Sequence, residues 1–193
     1  MKKIMLMFAV GILVTANQVF AADSYTVDPV HSTVSFRVRH LGVSYVTGKF
    51  DKFDGKISFE GDTPVGLNGT VDAASINTAN ANRDGHLKSD DFLAADKFPA
   101  ITFQSTEVAQ SGDSISVTGN LTIRDVTKTI KLQGEFGGFA DMGQVRKTGL
   151  VLEGEINRKD FGLLFNKLTE AGQIMVGDQV KLTLELEADK AAQ

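Results

Sequence analysis

Apolar residues return at every second position in one segment of this chain after another. Val34, Phe36 and Val38 alternate with Ser35, Arg37 and Arg39. Ile115, Val117, Gly119, Leu121 and Ile123 do so against Ser116, Thr118, Asn120 and Thr122. Ile130, Leu132, Gly134 and Phe136 continue the pattern, and Val180, Leu182, Leu184 and Leu186 repeat it against Lys181, Thr183, Glu185 and Glu187. A period of two is the period of a strand with one face in a core and the other in water, and a helix cannot satisfy it. Turn signals separate the runs: Asp28-Pro29, Asp54-Gly55, Glu60-Gly61-Asp62, Ser111-Gly112-Asp113, Gly137-Gly138 and Gly177-Asp178.

The pattern predicts strands near 24–28, 32–41, 45–59, 66–77, 100–109, 113–124, 127–137, 146–157 and 179–188. No helical crossovers separate them, so the arrangement is antiparallel and all-β. A twisted sheet of this many strands closes into a barrel or splits into a sandwich. Two stretches break the alternation. Asn80 to Phe98 has Ser89-Asp90-Asp91 as a helix start and stops at Pro99, and reads as a short helical excursion. Arg158 to Phe165 reads as a second one.

The N-terminus has a different character. Lys2 and Lys3 precede an 11-residue apolar run from Ile4 to Val14, and Val19 and Ala21 supply small residues. That is the layout of a secretory signal peptide over residues 1–21, cleaved near Ala21, and the run is too short for a membrane span. Residues 22–193 then form one domain, exported or periplasmic and without a stable membrane span. Removing the signal takes two lysines and leaves 18 basic against 24 acidic residues, a net charge of −6. That balance argues against nucleic acid, and there is no basic cluster. The chain has no Cys, so it folds without disulfides and a soft-metal site is nearly excluded.

Catalytic signals are sparse. The three histidines, His31, His40 and His86, fall in three segments with no zinc-ligand spacing. His31-Ser32 lacks a nucleophile turn and reads as a clasp between the Asp28-Pro29 turn and the following strand. Asp90-Asp91 reads as a helix-dipole complement. The glycines are scattered, with no phosphate-cradling loop. What remains is the aromatic inventory: 11 of the 13 Phe lie beyond the signal.

Five ordered blocks carry a family likeness: Asp28 to Gly55, Asn82 to Phe103, Gly119 to Leu132, Ile156 to Leu163, and Val176 to Glu187. Together they resemble the YceI-like family of exported lipid-binding proteins, from about Tyr25 to Glu187. The blocks match at His31, Ser32, Phe36, His40, Gly48, Phe50, Phe53 and Gly55, and at Arg83, His86, Leu87, Ser89, Phe92, Pro99 and Phe103; Gly85 is a departure. The resemblance implies a lipocalin-like, extended eight-stranded antiparallel β-barrel, two of the nine segments being parts of one long, bent strand or one of them a terminal addition. The likeness to lipocalins is of architecture, since they carry a Gly-x-Trp signature and this chain has no Trp.

The resemblance further implies a polyisoprenoid or similar long-chain amphiphilic lipid inside the barrel, for storage, transport or sensing. It implies no enzyme activity, no cofactor and no metal, and it allows a homodimer. Alternation turns Phe36, Val38, Phe59, Val71, Phe103, Val117, Leu121, Ile123, Leu132, Phe136, Leu182 and Leu184 inward, with Phe50, Phe53, Phe92, Phe139 and Phe161 near the ends. The expected ligand-binding residues are Phe36, Val38, His40, Phe50, Phe53, Phe59, Phe92, Phe103, Leu121, Ile123, Phe136 and Phe161. A polar head group would look to Arg37, Arg39, His40, Arg83, His86 or Arg158 at the barrel mouth. Two other readings stay open: an exported enzyme acting on an isoprenoid, seeded by His40, and a ligand-free partner of a membrane electron-transfer component.

Overall fold

The computed structural model describes residues 22–168, 172 and 174–191. The proposed signal peptide and its cleavage site at Ala21 lie outside the described residues. The strands are β1 (Asp23–Val27), β2 (Thr33–His40), β3 (Ser44–Phe50), β4 (Phe53–Glu60), β5 (Thr63–Asp72), β6 (Ile76–Asn77), β7 (Ala100–Ser111), β8 (Ser114–Ile123), β9 (Val126–Met142), β10 (Val145–Asn157) and β11 (Val176–Ala191). The order around the sheet is β1-β4-β5-β7-β8-β9-β10-β11-β2-β3-β6, and β1 also pairs with β11. β1 and β2 are two halves of one strand bent at 28–32, and β3 and β4 halves of another interrupted at 51–52; β6 prolongs β5. Counted this way, eight antiparallel strands close into a barrel, and closure removes the exposed edges of an open sheet.

The bend in the first strand has a visible clasp. The Ser32 hydroxyl donates to the Glu187 carbonyl (3.2 Å) and accepts from the Glu187 amide (2.9 Å), bridging to β11 where regular pairing lapses. Nδ1 of His31 lies 2.7 Å from Oδ2 of Asp28 across the turn.

The barrel has two unlike ends. At one, which we call the turn end, β4–β5, β7–β8 and β9–β10 are joined by two-residue turns containing Gly61, Gly112 and Gly143, all at positive φ. At the other, the loop end, lie the β2–β3 hairpin tip, the connections 73–99 and 158–175, and the tight turn at Arg124-Asp125. Helix α1 (Ala81–Lys88) sits in the first connection, with the Asn80 side chain accepting from the Arg83 amide as N-cap. Ser89 therefore closes the helix at its C-cap and does not start it. Asp90 and Asp91 follow the helix in turns. The 158–175 connection opens with a single 3₁₀ turn, Arg158–Phe161, ended by Gly162 in the left-handed region.

Three expected turns lie inside strands. Gly137-Gly138 forms a bulge in β9, where the register slips between Thr148 and Leu150 of β10, and the Thr148 hydroxyl donates to the Gly138 carbonyl. Gly177-Asp178 coincides with a second slip, between Val176 and Val180 in β11. Asp54-Gly55 lies within β4. Glycine and aspartate marked irregular backbone in the first two cases, but an irregularity that a neighbouring strand absorbs does not reverse the chain.

Candidate functional site: an apolar cavity at the loop end

The interior divides into two parts. Toward the turn end, Tyr25, Val27, Ile57, Phe59, Leu67, Ile115, Val117, Leu132, Phe136, Leu150, Leu152, Leu186 and Ala188 pack into a continuous buried cluster. Its centre is aromatic: Tyr25 meets Phe59 edge-on at 4.9 Å between centroids, and Phe139 lies 5.1 Å from Phe59 and 5.5 Å from Phe136. The Arg146 guanidinium caps this cluster 3.8 Å above the Phe139 ring. Toward the loop end the barrel is hollow, with a cavity of about 210 Å³.

The packed cluster supplies the cavity's floor through Val27, Leu67, Leu132 and Leu186. Phe36, Val38 and Phe50 form part of one wall, and Phe103, Leu121 and Ile123 part of the opposite one. Leu87, Phe92, Leu93 and Leu163 come from the loop-end connections. Two glycines keep the walls flat. A Cβ on Gly48 would lie 2.4 Å from Cζ of Phe36, and one on Gly119 would lie 2.4 Å from Cζ of Phe103. Each phenylalanine ring therefore lies back across a glycine, out of the volume it would otherwise fill.

Of the residues expected to contact ligand, Phe36, Val38, Phe50, Phe53, Phe92, Phe103, Leu121 and Ile123 line this cavity. Phe59 and Phe136 do not; they belong to the packed cluster, because aromatic partners arrive from other strands and fill the space. Phe161 is buried beside the cavity in a second cluster with Leu121, Ile123 and Ile156, without lining it. His40 ends β2, pairs with Ser44 and Val176, and is not part of the lining. Val71, Val176, Val180 and Leu182 line the cavity as well.

The polar candidates separate by location. Arg158 is only 3% exposed and lines the cavity near the loop end. Its guanidinium donates to the carbonyls of Gly177 (2.9 Å), Leu163 (2.5 Å) and Val176 (3.2 Å) and to Oδ1 of Asp178 (3.0 Å). Burial pulls its pKa down from the ordinary arginine value, opposed by the Asp178 carboxylate. It stays charged and fastens both ends of the 158–175 connection. Arg83 serves α1 in a similar way, donating to the hydroxyl and carbonyl of Thr78. Arg37 and Arg39 lie outside the barrel against Tyr45.

Arg124, which is not among the polar residues expected at the mouth, ties the loop end together. It occupies the β8–β9 turn at φ 51° and donates to the carbonyls of Phe92 (3.0 Å) and Gly162 (3.1 Å), one on each long connection. The signal for it was the two-residue Arg124-Asp125 gap between two alternating runs. His86 also joins the two connections: its ring meets Phe92 and Phe165 edge-on at 5.1 and 5.0 Å, and Nε2 lies 2.8 Å from Asp91.

Among the described residues one group, Asp28, His31 and Glu187, brings three potential metal-ligand atoms within 4.8 Å of one another. Lys147 already places its ammonium 2.8 Å from Glu187 and 2.7 Å from Asp189, so the carboxylates there have a cation. The His31 hydrogen bond holds the Asp28 carboxyl below its ordinary pKa, and Asp28 raises that of His31. Ser32 is committed to the β11 backbone, so His31-Ser32 is a structural clasp.

The pattern that defines the YceI-like domain matches residues 25–188. The chain belongs to the YceI-like family. A UPF0312 protein of Staphylococcus aureus is 38% identical to it over 170 residues, 85% of this chain and 96% of that one. The YCEI protein of Campylobacter jejuni, 35% identical, superposes with a TM-score of 0.69 over 79% of this chain and 89% of that one. BcnA of Burkholderia cenocepacia gives the same score at 25% identity, over 84% and 99%. A polyisoprenoid binding domain from Saccharophagus degradans, 18% identical, shares the fold with a TM-score of 0.62 over 86% and 98%. The eight-stranded barrel with one helix is thus the architecture of YceI-like structures.

Proposed function

We propose that this YceI-like protein is a carrier that holds the tail of a long-chain isoprenoid or similar amphiphilic lipid in the loop-end cavity, and not an enzyme. The observation that carries the reading is a preformed hollow with an almost wholly apolar lining, opposite a half filled by its own side chains. A lipid of isoprenoid type, the ligand class of the Saccharophagus degradans domain, suits such a lining. Each methylene-sized group that leaves water contributes about 0.8 kcal/mol, so ten groups give roughly 8 kcal/mol before ordering costs. That gross term is of the size of micromolar binding.

Residues that line the cavity are the proposed contacts, Phe36, Phe50, Phe103 and Leu121 among them. No cofactor enters this reading. Export to the periplasm is part of the proposal and rests on the Lys2 to Ala21 segment. The test is uptake of a long-chain polyprenol by delipidated protein. Leu121→Trp puts a larger side chain into the cavity and is expected to weaken uptake at least about tenfold in a protein that still folds. Unchanged uptake by folded Leu121→Trp would place the tail elsewhere and overturn the reading.

A further inference from the structure

Several large apolar side chains stand exposed on the barrel, and four of them belong to two loop-end segments, Val43 (83% exposed) to the β2–β3 tip and Leu164, Leu168 and Ile174 to the 158–175 connection. Of the others, Val30 lies at the 28–32 bend, and Val65, Met142 and Val151 lie on β5, β9 and β10. Backbone bonds tie the hairpin tip to both flanks of the connection. The Leu41 amide at the β2–β3 tip donates to the Met175 carbonyl, the Met175 amide donates to the Lys167 carbonyl, and Leu168 bridges to Ile174. This rim continues into the cavity lining: Leu164 follows Leu163, and Val176, which lines the cavity, pairs with His40 beside the hairpin tip.

Among the described residues, the charged side chains next to the β2–β3 tip are the basic Arg37 and Arg39. The chain carries 24 acidic against 20 basic residues. Behind the tip, however, Arg39 donates to the Gly42 carbonyl (2.7 Å) and the Tyr45 hydroxyl (2.6 Å), and Arg37 lies 3.7 Å over the Tyr45 ring. Among the described residues, neither arginine has a carboxylate within ion-pair distance, nor does Lys167. Asp178, at the start of β11, is taken up by Arg158 and Lys159. An apolar tip with an arginine–tyrosine layer one step behind it matches a bilayer, where apolar side chains enter the hydrocarbon and tyrosine and arginine settle at the head groups. Cationic side chains at that depth favour anionic lipid.

We propose that this rim, formed by the β2–β3 tip and the flanks of the 158–175 connection, docks on an anionic lipid bilayer. Docking lets a lipid tail pass between bilayer and barrel without crossing water. The passage rests on the carrier reading; the docking does not. A few inserted side chains hold weakly and reversibly, as a carrier that must depart requires.

The test is flotation of the full-length mature chain with phosphatidylcholine vesicles, with and without phosphatidylglycerol, at low and high salt. We expect association that strengthens with phosphatidylglycerol and weakens with salt. The double variant Val43→Glu/Leu168→Glu alters two exposed side chains outside the cavity lining, and circular dichroism should show an unchanged fold. Its vesicle association is expected to fall at least about tenfold, and transfer of polyprenol from vesicles to slow in step, while uptake of polyprenol from detergent stays the same. Arg37→Gln/Arg39→Gln should abolish the preference for phosphatidylglycerol and the salt dependence. No association with either vesicle, or association untouched by Val43→Glu/Leu168→Glu, overturns the docking surface even if tail uptake persists. Docking with no tail uptake overturns the carrier reading and leaves the docking surface standing.

Discussion

Phe59 and Phe36 obey the same alternation, face the same interior and do opposite things. At the turn end Phe59 meets Tyr25, Phe136 and Phe139 and is wholly buried. At the loop end Phe36 lies back over Gly48, touches Phe50 at 5.8 Å and leaves its inner face on the cavity. The two halves of this barrel therefore differ in what stands opposite each inward side chain, not in which side chains point inward. Where aromatics converge the barrel is filled and carries stability; where glycines face aromatics it is hollow and can hold a guest. Connection length follows the same division, with two-residue turns at the filled end and the long connections at the hollow one.

This contrast is open to direct attack. Phe59→Ala should cost about 3–5 kcal/mol in urea unfolding, the usual range for removing a packed aromatic. In the hollow half, Leu182→Ala should cost under about 2 kcal/mol, because its inner face already lacks packing partners. Equal losses at the two sites would mean the cavity is closed up in solution. Gly48→Ala sharpens the comparison further. The new methyl must push the Phe36 ring toward the cavity, so polyprenol affinity is expected to drop about tenfold while stability falls by about 1–3 kcal/mol. Unchanged affinity would mean that the ring position does not set the cavity's capacity.

The smallest expected effect concerns the clasp at 28–32, where the two halves of the first strand join. His31 has its pKa raised above 6.5 by the hydrogen bond to Asp28, so what it contributes is complete below that pH and is lost as pH rises through the folded value. Asp28, lowered from 3.8, contributes above that pH and loses its contribution as pH falls through its own folded value. His31→Ala should therefore reduce thermal stability slightly near about pH 5 and not at about pH 9. A larger loss at the alkaline pH would contradict the pairing.

The barrel was legible in the chain because its signal is local and repeated: each strand's alternation can be read without knowing its neighbours. That nine segments make eight strands followed from the family likeness, but which two segments join, 24–28 and 32–41, is visible only in the pairing of β1 and β2 along β11. The division between filled and hollow halves was not legible, since it depends on cross-strand partners far apart in sequence. Nothing near Phe59 announces Phe136 and Phe139, and nothing near Phe36 announces that Gly48 will lie beneath its ring. Arg158 shows the same limit from the polar side. Its neighbours Lys159 and Asp160 suggest a solvated turn, whereas the guanidinium is buried by carbonyls from Leu163, Val176 and Gly177. The Ser89-Asp90-Asp91 signal misled because α1 begins nine residues earlier, at an Asn80 cap whose local pattern is weaker.

Mass spectrometry of the organic extract from protein purified through its natural export route, beside Leu121→Trp prepared in the same way, tests the carrier claim most directly. A long-chain isoprenoid or similar lipid is expected in near-stoichiometric amount with the native protein and depleted from the variant. Native protein that carries no lipid, and that takes up none when refilled with polyprenol, would contradict it.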